Sequence, residues 1–380
     1  MDDPRWFQRH PAATLLLVNA LFLVLVEVAL RLTLGDELLE PASPYVVPDP
    51  LTHHDYRPGV VFTTLPYGED RFPPAVNRIN RLGFRGPEPG PKQGRRVLLV
   101  GDSFVQADEV AYEETFGALL NQRFNGRVEF LSHGMASWAP TTEFSWLHHR
   151  GLALRPDEVV LFLCANDFFR TAAFHQGDQV YRDQAVYDGQ VPVRYRLTEP
   201  NLILRMVRCV ALFRLAWRGM RLAAARSATS GATAEVTIPG ELTLLAGPAA
   251  TWPEELRRNV DQTAEVVVTM GQYLSQRGIG LRVCLVPLGF AWPDEIRGGK
   301  QHPVYGWPAD HVVSQAGLEE HLRQRCLAAG IAWIDLQGPF ERAKEIDPAL
   351  LFNPLEGHWT PAGHRVVAEA LAEAFALPTP

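Results

Sequence analysis

The sequence predicts an α/β fold of three layers, with a five-stranded parallel sheet between helices. Three observations carry this. Val97 to Val100, Val128 to Ser132 and Val159 to Cys164 are short apolar runs rich in branched residues, as strands buried on both faces require. Helical stripes alternate with them and with two later strand-like runs, which is the β-α-β order of a parallel sheet. Polar residues of chemical interest follow the first three runs directly, where open α/β sheets place their ligands.

The elements follow in order. Pro11 to Leu34 is almost entirely apolar, broken by Thr14, Asn19, Glu27, Arg31 and Thr33. About twenty apolar residues span a bilayer as a helix. Arg5 and Arg9 precede it, which favours a cytoplasmic N-terminus. Glu27 and Arg31 stand at i and i+4, so they can neutralise each other near the far interface. No small-x-small cleavage site follows, so an uncleaved anchor is expected over a signal peptide. Residues 1–34 thus read as a cytoplasmic tip and transmembrane anchor. Residues 35–94, with Pro41, Pro44, Pro48, Pro50, Pro87, Pro89 and Pro91, read as a linker and extended wrap.

Residues 95–377 read as the main domain. After the first strand, Phe116, Leu119, Leu120 and Phe124 mark a helix. Glu254 to Arg277 is a second helical pattern, followed by the strand-like run Ile279 to Val286. Leu318 to Ala329 is helical, Ile331 to Leu336 strand-like, and Val366 to Phe375 amphipathic. An insertion of about residues 168–251 separates the third strand from the Glu254 helix. It holds Tyr181, Tyr187 and Tyr195, then a stripe of Ile203, Met206, Val207, Val210, Phe213 and Trp217 flanked by arginines. Such a helix can lie on an anionic membrane surface. Packing on the domain with solvated arginines is the plainer expectation.

The chemistry concentrates at the strand ends. Ser103 follows Gly101-Asp102 at the end of the first strand. Glycine frees the backbone for a sharp turn, so the hydroxyl can stand above the sheet. His358 lies in Glu356-Gly357-His358-Trp359-Thr360-Pro361, just ahead of the last helix, with Thr360 as N-cap and Pro361 at the first position. A base with an acid two residues before it suits a serine nucleophile. The second strand ends at His133-Gly134 and the third at Ala165-Asn166-Asp167. The N–H groups of Ser103 and Gly134 and the Asn166 amide could converge as an oxyanion hole.

With these blocks in order, the chain resembles the SGNH (GDSL-type) hydrolases. Ser103, Gly134, Asn166 and His358 match the four blocks, and Asn80 to Gly86 is similar to a segment upstream of the catalytic strand in membrane-anchored members. The resemblance covers about residues 78–376. It implies a flavodoxin-like strand order, a Ser103 nucleophile, a His358 base, and an oxyanion hole of Ser103, Gly134 and Asn166. Asp102 and Asp167 are expected to support the site. The family usually has aspartate two or three residues before the histidine. Here Leu355 and Glu356 stand there, so Glu356 takes the role of third triad member.

Composition sets bounds. The net charge of -7 and pI near 6.0 argue against a nucleic-acid partner. Cys164, Cys209, Cys284 and Cys326 lack zinc-ligand spacing. Cys164 and Cys284 are expected as buried thiols, while disulfides stay open in an oxidising compartment. The reading is a serine esterase or deacylase with no metal and no cofactor. It sits in the cell inner membrane as a single-pass protein, with its catalytic domain on the periplasmic side. The expected substrate is an acylated small molecule or glycan. Acyl transfer to a glycan hydroxyl would use the same residues, and a non-catalytic binding protein could keep the same fold.

Overall fold

The computed structural model describes residues 6–34, 45–64, 73–168, 177–197, 210–213, 215, 244–288, 314–346, 351–353 and 357–376. The chain forms two compact units, one of residues 1–44 with 198–235 and one of residues 45–197 with 236–380.

In the first unit, a short helix α1 (Trp6–Arg9) precedes α2 (Pro11–Leu34). At about 1.5 Å per residue, the 24 residues of α2 exceed the roughly 30 Å of a hydrocarbon core. Leu16, Leu21, Phe22 and Leu25 stand exposed along it. The helix is therefore long and apolar enough to cross a membrane. Arg31 Nε donates to Glu27 Oε1 at 2.8 Å, as the i,i+4 spacing predicts. Glu27 also accepts the backbone N–H of Ala211 at 2.9 Å and of Leu212 at 3.1 Å. Ala211 and Leu212 of the insertion therefore contact α2 within the first unit. An acidic residue in an apolar helix supplies the acceptor that unpaired N–H groups need. The rest of the arginine-flanked stripe lies outside the described residues.

In the second unit, the wrap has structure of its own. β1 (Val46–Asp49) pairs antiparallel with β2 (His53–Tyr56), and β3 (Val61–Thr64) with β4 (Ala75–Arg78). Tyr56, Ile79 and Phe84 from this segment enter the main core. Next come β5 (Arg95–Gly101), α3 (Ser103–Gln106), α4 (Phe116–Phe124), β6 (Val128–Gly134), α5 (Pro140–His149) and β7 (Glu158–Leu163). α6 (Asp178–Gln184) leads to the hairpin β8 (Ala185–Asp188) and β9 (Val191–Tyr195). The chain closes with α7 (Glu254–Ser275), β10 (Gly280–Leu285), α8 (Ala316–Ala328), β11 (Ala332–Trp333), α9 (Gln337–Ile346) and α10 (Pro361–Ala374).

The central sheet has the order β11-β10-β7-β5-β6, all parallel. This is the flavodoxin-like arrangement, with the crossing point between β5 and β7. Alternation along the strands divides the core. Leu98, Val100, Leu161 and Val283 face Trp146, Val260, Val267 and Leu322 of α5, α7 and α8. Val97, Leu99, Val160 and Phe162 face Phe116, Leu120, Phe340 and Leu371 of α4, α9 and α10. Truncating one such residue, as in Leu161→Ala, costs roughly 2–5 kcal/mol because the cavity cannot fully collapse. β11 is shorter than its apolar run suggests. Ile334 N still donates to Val283 O at 2.9 Å, but Asp335 Oδ1 accepts from Gly338 N and turns the chain into α9. Cys164, Cys284 and Cys326 are buried free thiols. Cys209 lies outside the described residues.

Candidate active site

Ser103 begins α3, separated from the end of β5 by Asp102 alone. Asp102 is its N-cap and accepts the N–H of Phe104 at 3.0 Å, satisfying one donor of the first turn. The turn also needs small neighbours. A Cβ on Gly101 would lie 2.6 Å from Val105 Cγ2, and one on Gly134 would lie 2.5 Å from Asp102 O. β5 and β6 therefore meet at two glycines, Gly101 and Gly134, which are register partners.

His358 lies on the loop before α10. Gly357, with φ of 81°, donates to Asn353 O at 2.8 Å, and Asn353 N donates to His358 O at 2.7 Å. Thr360 caps α10 through Gly363 N. This loop sets His358 Nε2 at 2.8 Å from Ser103 Oγ. The histidine ring meets the edge of Phe104 at a centroid distance of 4.9 Å, and Phe104 packs on Trp359 at the same distance. Phe104 thus packs inward and fixes the plane of the imidazole.

Asn166 follows β7 in a 3-10 turn. Its Nδ2 donates to Asp102 Oδ2 at 3.2 Å, which ties the third strand end to the nucleophile turn. The amide has a second hydrogen available to a ligand. Asp167 holds its own turn, since Oδ2 accepts from Cys164 N at 2.9 Å. The structure therefore gathers Ser103, His358, Gly134, Asn166, Asp102 and Asp167 at the carboxyl edge of the sheet. Glu356 lies outside the described residues.

Two groups of residues escaped sequence reasoning. The first is Glu109, whose Oε1 lies 3.5 Å from His358 Nδ1. Its loop is clamped by the wrap. Arg85 donates to Ala107 O and Val110 O, Asn77 Nδ2 donates to Asp108 O at 3.0 Å, and Tyr56 donates to Asp108 Oδ1. The Asn80 to Gly86 motif aims Arg85. Asn80 Oδ1 accepts from Leu82 N and Phe84 N, and Gly83 and Gly86 take φ of 88° and 101°, angles that suit glycine. Asp108 is pushed up to about 7 by burial and by Glu109.

The second is Glu143 on α5, which is fully buried. Among the described residues neither of its carboxyl oxygens has a hydrogen-bond partner. Burial, then Asp102 and Asp178, push this carboxyl well above the usual range. Asp167 is raised by burial, then by Glu143 and Asp102. An uncompensated buried carboxylate is costly, so this site favours the protonated form of Glu143. Its flanks, Thr142 and Phe144, gave no sign of this. Among the described residues no group of histidine, cysteine and acidic side chains could hold a metal ion.

No family model and no curated protein matches the chain. Solved structures are similar at low identity. LAE5, an alpha/beta hydrolase from the metagenome of Lake Arreo, is 14% identical, with 75% of this chain and 97% of that one covered and a TM-score of 0.36. The acetyl xylan esterase AlAXEase is 15% identical, covering 73% and 98%, with a TM-score of 0.40. A putative lipolytic protein of the G-D-S-L family from Desulfitobacterium hafniense is 12% identical, covering 73% and 98%, with a TM-score of 0.38. These likenesses are too distant to carry an assignment of activity.

Proposed function

We propose that this protein is a serine esterase or deacylase of the SGNH type, acting through an acyl-enzyme. The observation that carries the reading is the 2.8 Å contact between His358 Nε2 and Ser103 Oγ at the carboxyl edge of a parallel sheet. Nε2 takes the hydroxyl proton as Oγ attacks an ester carbonyl, and returns it to the leaving alcohol. The N–H groups of Ser103 and Gly134 and the Asn166 amide meet the developing oxyanion, each such donor being worth ~10²–10³ in turnover. Water then enters as the second acceptor, and His358 acts again as base. A carboxylate on Nδ1 completes the relay. The sequence offers Glu356 for this and the structure offers Glu109.

The substrate we propose is an O-acylated glycan of the cell envelope or one being exported, the acyl group being small, such as acetyl. What supports this is the apolar α2 helix, which suits an anchor, and the positive residues Arg5 and Arg9 before it. Both favour a reading in which the catalytic unit faces the periplasm from the inner membrane. The test is hydrolysis of a short activated ester by the full chain in detergent. Ser103→Ala and His358→Ala should each abolish it with the melting temperature unchanged, and the double variant should be hardly worse than either. Near wild-type turnover by Ser103→Ala would end this reading. Release of acetate from acetylated glycans, with and without a free glycan acceptor, separates hydrolysis from acyl transfer.

A further inference from the structure

We propose that Glu109 is the positioning carboxylate of His358, supplied from the nucleophile's own loop. The inference rests on the Ser103–His358 reading and names its third member. Glu109 Oε1 approaches Nδ1 at 3.5 Å, while Nε2 faces Ser103 Oγ at 2.8 Å. The two nitrogens thus have the acid on one side and the nucleophile on the other, the order a relay needs. The distance is that of an ion pair, and catalytic hydrogen bonds to a histidine often tighten when substrate binds.

The other two described acids near the histidine are already engaged. Asp102 faces His358 electrostatically, but its oxygens accept from Phe104 N and Asn166 Nδ2. Asp108 is turned toward Tyr56 and Gln106 Nε2.

The loop is built to hold Glu109 still. Ala107 takes a left-handed conformation with φ of 50°, unusual without a glycine. The reversal lets Val110 N donate to Ala107 O at 3.3 Å, and Glu109 projects from that turn. Arg85 fastens both ends of the turn, and Asn77 and Tyr56 fasten its middle. The wrap therefore serves the catalytic centre by fixing one carboxylate. An acid held this way needs no partner on the histidine's own loop, which accounts for the absence of aspartate at residues 355 and 356.

The experiment is a pair of pH–rate profiles on the full chain in detergent, with an activated acetate ester. Groups facing His358 and Glu109 are Asp102, Asp108, Arg85 and His364, and all stay constant in the variants. Glu109→Gln should lower kcat about 100-fold or more, and should move the acidic limb to lower pH, because a carboxylate holds an imidazolium's pKa up. Glu109→Asp, shorter but charged, should keep the limb at its wild-type position. A merely structural role would lower activity and leave the limb in place. An unmoved limb in Glu109→Gln overturns the proposal, and so does a limb that moves in Glu356→Gln instead. Labelling of Ser103 by a fluorophosphonate in the wild type separates the two levels. Without labelling the serine-hydrolase reading itself fails, whereas labelling with an unmoved limb removes Glu109 alone.

Discussion

The guanidinium of Arg85 donates to the carbonyl of Ala107, joining the N-terminal wrap to the loop that follows the nucleophile. A second donor of the same group reaches Val110 O. Burial lowers the Arg85 pKa, and Asp108, Tyr56 and Glu109 oppose that shift. The cation therefore balances the acids of a crowded site while satisfying two carbonyls.

Arg85→Lys keeps the charge but loses the planar fork that spans both carbonyls. Each buried carbonyl left unsatisfied costs about 1–3 kcal/mol. We expect the variant to melt several degrees lower and to lose turnover at least tenfold, since the loop holding Glu109 is loosened. Urea unfolding beside ester hydrolysis checks this. A variant with wild-type values in both would mean that the clamp is dispensable.

Gly134→Ala probes the meeting of β5 and β6. The new Cβ would lie 2.5 Å from Asp102 O, 2.8 Å from Gly101 O and 2.8 Å from Val105 Cβ. Two of these are backbone atoms, so the strands must part or the Ser103 turn must shift. A misplacement of about 1 Å can cost 10²-fold in rate. We expect turnover to fall by about that factor or more, with a lower melting temperature. Gly90→Ala, at an exposed position with nothing within 4 Å of the new Cβ, controls for loss of a glycine as such.

Much of this site was legible in the sequence because strand ends are legible. An apolar run that stops at Gly101-Asp102-Ser103 marks both the element and its edge, and β6 and β7 do the same for Gly134 and Asn166. His358 was legible through the Thr360-Pro361 start of α10. Glu109 was not, because its place depends on a left-handed turn at Ala107, a residue with no preference for that conformation. Glu143 was missed because a buried acid in a helix reads as one solvated residue unless the tertiary neighbours are known. The wrap's prolines signal extended chain, but the donors of Asn77 and Arg85 find their acceptors thirty-one and twenty-two residues on, beyond any local pattern.

Glu27 tests the first unit. Its two oxygens accept from Ala211 N, Leu212 N and Arg31. Glu27→Leu removes the acceptors while keeping the apolar helix. We expect protease cleavage beside Ala211 and Leu212 to become faster. Unchanged cleavage would show that the contact contributes nothing to the placement of this segment.

Two buried groups should shape stability against pH from opposite sides. His364 is buried, stacked on Phe116, and its Nδ1 faces Phe116 N at 3.4 Å. Burial, with Arg85 and His358 nearby, lowers it to about 3. A depressed histidine contributes stability that is present above its unfolded value of about 6.5 and is lost as pH falls toward 3. Glu143 works the other way. Its raised value means that the folded protein binds a proton the unfolded chain has released above about 4.3. That contribution is complete at low pH and fades as pH rises toward the folded value. Each proton sets a limiting slope of about 1.4 kcal/mol per pH unit. His364→Asn should therefore flatten the fall in unfolding free energy below pH 6.5, though its absolute stability drops with the lost ring packing. Glu143→Gln should flatten the fall on the neutral and alkaline side, and should be at least as stable as wild type at pH 8. Urea unfolding of the three proteins from pH 4 to pH 9 reads both slopes. A Glu143→Gln protein that is less stable at pH 8, with the wild-type slope retained, would show that this carboxyl is ionised in the fold and paired there.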